Sequence, residues 1–454
     1  MTKGVFTKSN AKNKIPPYLY IISSFLIVIF VGTLLLLLPI SVQKGEHISF
    51  IKAFFTTVSS VCVTGLTVIP NVGQTFSVFG KIIIALLIEI GGLSFLTLTI
   101  FFMITFRVKL GISESFLMRE QLNQGSIKDL EKLIVKIVII TLSIQFIGAI
   151  ISTFIFYFSP IPDYIGRNWT FGECIGLGLF HSISAFNNAG FDILGTSISL
   201  LPYSSNILLN VVTMILIILG GIGFTVLIDI YENKRWRRLS LHSKISLITT
   251  SFLIIFGTIA IKCSMWNDLT LLESIFMAVT CRTAGYSTYD MSQISNVCYC
   301  VVLVLMFIGA SSGSTGGGVK TSTVFIVINF IVNYALGKSA NAFYRKISNK
   351  VLLKALALIN FALLFNVLMT IIICAFEPNI DFKMLLFEQV SAFSTTGLSM
   401  GITSKLNAGS QFVLCISMFI GRVGPLTFMG MMNKHWLSEA NENVRYVEEN
   451  VMIG

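Results

Sequence analysis

Residues 308–323 read "IGASSGSTGGGVKTST", directly after the apolar run "VCYCVVLVLMF". Three chemistries suit such a stretch: a phosphate-binding loop, a serine-nucleophile turn, and a helix broken on purpose. A phosphate loop of the form G-x-x-x-x-G-K-[ST] needs lysine directly after its last glycine. Here Val319 separates Gly318 from Lys320, and no βαβ pattern surrounds them. The nucleophile turn G-x-S-x-G is matched by "GASSG" at 309–313, with Ser311 as nucleophile. That turn needs a strand before it and an acid and a histidine after it. An apolar run precedes it instead, and the one downstream histidine is His435. The broken helix is left, and it requires a membrane.

Composition supplies one. The 454 residues are 54% hydrophobic and 12% charged, with mean hydropathy +0.83. A soluble domain carries roughly 25% charged residues, so the chain reads as an all-α polytopic membrane protein. Lys3, Lys8, Lys12 and Lys14 precede an apolar stretch from Tyr18 to Ile40. A cleavable signal has an apolar core of only about 7–15 residues, so this stretch reads as a retained first span. The eight cysteines contain no CxxC pair and the four histidines have no ligand-like spacing. They read as packing residues rather than as a disulfide framework or a metal site.

Runs long enough to cross lipid, about 20 residues, fall near 18–40, 82–104, 134–158, 206–228, 245–262, 298–331, 352–376 and 410–432. These eight pair up, and inside each pair lies a shorter stretch ending in glycine. The four stretches are "AFFTTVSSVCVTGLTV", "GLFHSISAFNNAGFDI", "SIFMAVTCRTAGYST" and "LLFEQVSAFSTTGLSM". They break at Gly65, Gly190, Gly285 and Gly397, and the third is one residue shorter before its glycine. A second motif follows each: "IGGLSFLTL", "LGGIGFTVL", "IGASSGSTG" and "IGRVGPLTF". This is a fourfold repeat of span, short helix, glycine turn and span. The boundaries read as residues 17–106, 130–230, 243–335 and 350–433. Residues 1–16 and 434–454 form cytoplasmic termini, and 309–320 form an intramembrane loop in the third repeat.

Most of the 32 Lys and Arg sit in the termini and in the loops between repeats. The positive-inside rule puts those segments in the cytoplasm, so the glycine turns dip in from outside. Runs such as "NKRWRRLSLHSK" read as topology signals and partner surface, not as nucleic-acid sites. Irregular backbone at membrane depth is tolerated only where protein buries it or water reaches it. Four such turns around one axis aim carbonyls at that axis, the arrangement that replaces the hydration shell of a potassium ion. The ring would comprise Val63, Thr64 and Gly65; Asn188, Ala189 and Gly190; Thr283, Ala284 and Gly285; and Thr395, Thr396 and Gly397.

These turns, the broken sixth span and "GRVGPLTF" resemble the Trk/Ktr/HKT potassium transporter superfamily, and within it the membrane subunit of bacterial Ktr systems. The resemblance covers nearly the whole chain. It implies a homodimer in the bacterial plasma membrane with one pore per subunit. It also implies a cytoplasmic ring of nucleotide-binding regulatory subunits, with sodium as a candidate activator. Nucleotide would belong to that partner, and the chain itself would hold no covalently bound cofactor, only K⁺ in the pore. Only the first turn, Val63-Thr64-Gly65, matches the symmetric filter of tetrameric potassium channels, so weaker selectivity than theirs is expected.

Arg422 falls about twelve residues, roughly 18 Å at 1.5 Å per residue, into the last run. That is deep for a charge. The matching positions are Gly92, Gly221 and Ala310. Two readings stay open: a guanidinium facing the pore below the filter, which the resemblance favours, or an ion pair with Glu89 or Asp229. Glu89 and His181 receive no transport role. The candidate gate comprises Gly309, Ser311, Ser312, Gly313, Ser314, Thr315, Gly316, Gly317, Gly318 and Lys320, with Arg422 opposite. Gly costs about 1 kcal/mol relative to Ala in a helix, so this segment should lie under the filter as a loop. A coupled secondary transporter would use inverted repeats. Here every repeat begins and ends in the cytoplasm, which favours a channel-like pore while leaving Na⁺ coupling open.

Overall fold

The computed structural model describes residues 17–93, 130–159, 168–195 and 199–425, with residues 97, 101, 427 and 428. The expected terminal segments 1–16 and 434–454 lie outside them. Each repeat opens with a long helix: α1 (Pro17–Leu36), α4 (Leu130–Phe158), α8 (Leu241–Ser264) and α12 (Asn349–Phe376). A short helix follows: α2 (Phe50–Val61), α5 (Phe171–Phe186), α9 (Leu271–Thr280) and α13 (Phe382–Phe393). The second-span helices are α3 (Val78–Leu93), α6 (Ile207–Ile222), α10 (Asn296–Phe307) and α14 (Ala408–Val423). Among the described residues, α4, α8 and α12 are long and apolar enough to cross a membrane unaided. Their apolar surface looks outward, with Phe146, Phe252 and Leu364 more than half exposed.

Three of the four short helices start on side-chain caps, at Thr170, Thr270 and Asp381. Thr170 with Glu173 and Thr270 with Glu273 form reciprocal capping boxes at α5 and α9, each satisfying two otherwise orphaned backbone donors. At the other end, the chain stops abruptly. In three repeats the second residue after the C-cap closes a bond five residues back: Thr64 N–H to Ser59 O, Ala189 to Ser184 and Thr396 to Ser391, each 2.8 Å. That is the 6→1 bond of a helix-ending motif that places one residue in the left-handed region. In the third repeat Ala284 N–H reaches Thr280 O, four residues back, at 2.9 Å. The missing residue in "CRTAG" is thus absorbed in the helix cap, leaving the turn in register.

The repeats close into a ring. The second-span helix of each packs on the short helix of the next: α3 on α5, α6 on α9, α10 on α13, and α14 back on α2. Gly91, Gly220 and Gly421, equivalent in the second motif, permit the close approach inside repeats one, two and four. A Cβ there would run into the carbonyls of Val61, Phe186 and Phe393. Gly220→Ala is therefore expected to destabilise the protein by roughly 1–3 kcal/mol through overpacking. Gly172→Ala, with nothing within 4 Å, should be neutral or stabilising. Thermal melting of the two variants in detergent checks the contrast, and equal melting contradicts it.

One feature differs from what the apolar runs imply. The run 206–228 is not one helix: α6 meets α7 (Phe224–Asn233) at 95°. Gly223, φ +107, forms the joint. Hydropathy missed the break because both sides of it are apolar. Gly424, at the equivalent place after α14, also has positive φ, +96. The fold is all-α as the sequence implies, and residues 341–346 add one small hairpin of two-residue strands, turning at Phe343 and Tyr344 with φ +48 and +62. The sixth run is not one helix. It ends at Phe307 and resumes as α11 (Thr321–Ala335).

Candidate functional site

The four glycine turns share one backbone pattern. Val63, Asn188, Thr283 and Thr395 have φ of +56, +59, +78 and +49, and the glycines two residues on have +94, +67, +77 and +86. The residues between them are not left-handed. Such alternation turns successive carbonyls to one side of the chain, where a strand would send them to opposite sides. Left-handed backbone costs a β-branched residue on the order of 1–3 kcal/mol and persists where surrounding structure enforces it. Val63, Thr283 and Thr395 bear that strain at one level of the molecule.

The turns also touch in order. A Cβ on Gly65 would strike the Ala189 carbonyl, on Gly190 the Ala284 carbonyl, on Gly285 the Thr396 carbonyl, and on Gly397 the Thr64 carbonyl. The ring is closed through backbone. Below it, the Asn188 amide lies 3.1 Å from Thr283 Oγ1, joining repeats two and three. On the face of the ring away from the 309–320 loop a cavity of about 420 Å³ opens onto all four glycines.

The 309–320 loop lies directly beneath. Ile308 and Val319 pair across its neck as a short parallel bridge. Gly317 N–H donates to Thr395 Oγ1 at 2.9 Å, and a Cβ on Gly316 would meet the Thr283 side chain. Gly318, φ +69, passes 3.2 Å from Ser394 Cα, measured from where its own Cβ would stand. Toward repeat two, Ser311 N–H donates to Gly221 O at 3.0 Å and Thr315 N–H to Gly220 O at 3.3 Å. Gly313 O accepts from Phe224 N–H at 2.8 Å, tying the loop to the bend at Gly223. Ser312 and Ser314 tie the loop to itself and to α11, through Ser322 Oγ at 2.9 Å and Ser311 O at 2.6 Å. Lys320 Nζ donates back to Gly316 O at 2.5 Å. Gly309, at the neck, faces Gly317 O. The serine hydroxyls thus satisfy a segment that the glycines keep from being helical.

Arg422 completes the layer. Its guanidinium donates to Thr315 O in the loop, to Gly91 O, and at 3.0 Å to Gly92 O. One side chain therefore links repeats one, three and four. Sequence reading set Arg422 opposite the loop or paired with Glu89 or Asp229; the structure puts it in contact with the loop and pairs it with neither acid. Glu89 accepts from Gln145 at 2.8 Å and Asn187 at 2.6 Å. Asp229 accepts from Asn233, Ser240 and Ser243. A guanidinium has five donors and suits carbonyls as well as carboxylates. The paired glycines of "IGGLSF", Gly91 and Gly92, carry no side chain over those carbonyls. His181, as expected, packs: its Nε2 is 2.9 Å from Thr213 Oγ1 and its ring meets Phe156 edge-on.

Four like repeats closed around an axis, bearing apolar outer helices and a carbonyl ring over a bonded loop, define a multi-pass membrane transport protein. A family model described as "Cation transport protein" (TrkH) matches residues 6–272 and 267–443. The chain belongs to this TrkH family. It is 36% identical to Ktr system potassium uptake protein B of Bacillus subtilis, over 97% of each chain. It is also 36% identical to potassium/sodium uptake protein NtpJ of Enterococcus hirae, over 98% of this chain and 99% of that one. The crystal structure of the potassium transporter TrkH from Vibrio parahaemolyticus shares the fold, with TM-score 0.73 at 16% identity over 94% of this chain and 87% of that one. The family is one of transporters, which disposes of the serine-hydrolase reading. Ser311 Oγ meets Thr321 Oγ1 at 3.1 Å, and His435 lies outside the described residues.

Proposed function

We propose that this chain is the potassium-translocating subunit of a membrane uptake system, working as a channel-like pore. The observation that carries the reading is the ring closed through backbone at Gly65, Gly190, Gly285 and Gly397. Carbonyls of Val63 to Gly65, Asn188 to Gly190, Thr283 to Gly285 and Thr395 to Gly397 would replace water around K⁺. The relatives named for potassium uptake support that choice of ion. The loop from Gly309 to Lys320, bridged to Arg422, would close the path to the cytoplasm. Their two positive charges would add an electrostatic barrier below the filter. The Ktr names denote a system of several components, which supports a cytoplasmic partner. A homodimer in the plasma membrane, cytoplasmic termini, a nucleotide-binding ring and sodium activation belong to the same reading.

Arg422→Ala is expected to raise K⁺ influx several-fold, since each 1.4 kcal/mol removed from a barrier is tenfold in rate. The K⁺ over Na⁺ preference should stay, because Arg422 touches the loop and not the ring. Influx in a transport-deficient host, corrected for expression, tests this. Parent-like influx, or a changed ion preference, contradicts it.

A further inference from the structure

Two residues after each glycine stands an oxygen-bearing side chain: Thr67, Asp192, Ser287 and Ser399. All four line the 420 Å³ outer cavity beside the glycines. A hydroxyl has one proton and two acceptor lone pairs, so where the proton goes decides what it offers. Thr67 Oγ1 donates to Ile69 O, Ser287 Oγ to Tyr289 O, and Ser399 Oγ to the Glu388 carboxylate. All three protons are turned into the protein, leaving only acceptors for the cavity, although Ser399 Oγ also accepts from Gly401 N–H at 2.9 Å and Ser287 Oγ from Tyr289 N–H at 3.4 Å. In repeat two, Asp192 Oδ1 accepts from Leu194 N–H at 3.2 Å. Its Oδ2 receives no hydrogen bond among the described residues. The neighbouring acids are otherwise engaged: Asp290 by Ser292 and Gln293, Glu388 by Ser399, Thr403 and the Met400 amide.

We propose that Thr67, Asp192, Ser287 and Ser399 form an outer binding site for a monovalent cation, one layer outside the glycine ring, with Asp192 supplying its charge. Three oxygens that cannot donate and one carboxylate with a free oxygen repel anions and can take over part of a cation's hydration shell. A charge in a walled vestibule raises the local cation concentration, so the site loads the ring from dilute solution. The proposal rests on the reading of the ring as a K⁺ path.

The test is the dependence of K⁺ influx on external K⁺. Asp192→Asn keeps an oxygen for Leu194 N–H and removes only the charge. It should raise the half-saturating concentration about tenfold while the maximal rate stays within about twofold. Asp192→Glu should recover most of the loss. Thr67→Val, which removes one oxygen at nearly constant volume, should raise half-saturation by a smaller factor. An unchanged half-saturation in Asp192→Asn, or a loss confined to the maximal rate, would overturn the site and leave the transport reading standing. A parent protein that takes up no K⁺ would overturn the transport reading, and the site with it.

Discussion

Removing Ser312 to Gly318 should raise K⁺ influx by about tenfold or more and make it indifferent to the cytoplasmic partner. The loop lies beneath the ring, bonded to Thr395 at 2.9 Å and to Gly220 at 3.3 Å. Deletion removes those bonds together with Thr315 O, the carbonyl that holds Arg422 in the loop. A partner can shift a gate only through an element with two arrangements close in energy; without the loop there is nothing to shift. The ring keeps its own cross-repeat contacts, so ion preference should persist. A deletion protein that elutes like the parent yet transports no faster would show that the loop is not the barrier.

Gly397→Ala should cut K⁺ uptake at least tenfold and erase most of the preference over Na⁺. Two effects add. The residue sits at φ +86, where a side chain is strained by about 1–3 kcal/mol, and its Cβ would strike the Thr64 carbonyl of the neighbouring turn. The only relief is to move Thr64 O or the Gly397 turn, and either spoils the carbonyl spacing on which ion choice depends. Gly401→Ala separates the two causes: Gly401 has φ +80 but nothing within 4 Å. It should keep the preference and lose at most modest activity. Competition of K⁺ uptake by Na⁺ in both variants makes the comparison, and equal losses would mean that the steric clash has no part in the effect.

The glycines at 65, 190, 285 and 397 were legible because a turn at membrane depth needs backbone angles that few residues supply, and four copies in register leave little to chance. The shortened third stretch was legible too, as a count, although not its remedy in the α9 cap. The bend at Gly223 was not. Residues on both sides of it are apolar, so hydropathy runs through the joint unchanged, and only the spacing of glycines in "LGGIG" and "IGRVG" marks it. Arg422 was found by its depth, but its partners were sought among acids. The structure supplies carbonyls, bared by the paired glycines of a distant repeat. A charge partner is a chemical expectation; a carbonyl partner depends on which backbone the fold brings near. The ring order was likewise out of reach, since only packing shows that α14 closes on α2.

In the proposed function K⁺ passes through this ring as through a pore, not in fixed stoichiometry with Na⁺. Reversal potentials of the purified protein in liposomes, with K⁺ and Na⁺ gradients varied independently, test it most directly. The expected potential follows the K⁺ gradient and moves little when Na⁺ is changed. A potential displaced by the Na⁺ gradient in a fixed ratio would contradict it and make the protein a coupled transporter.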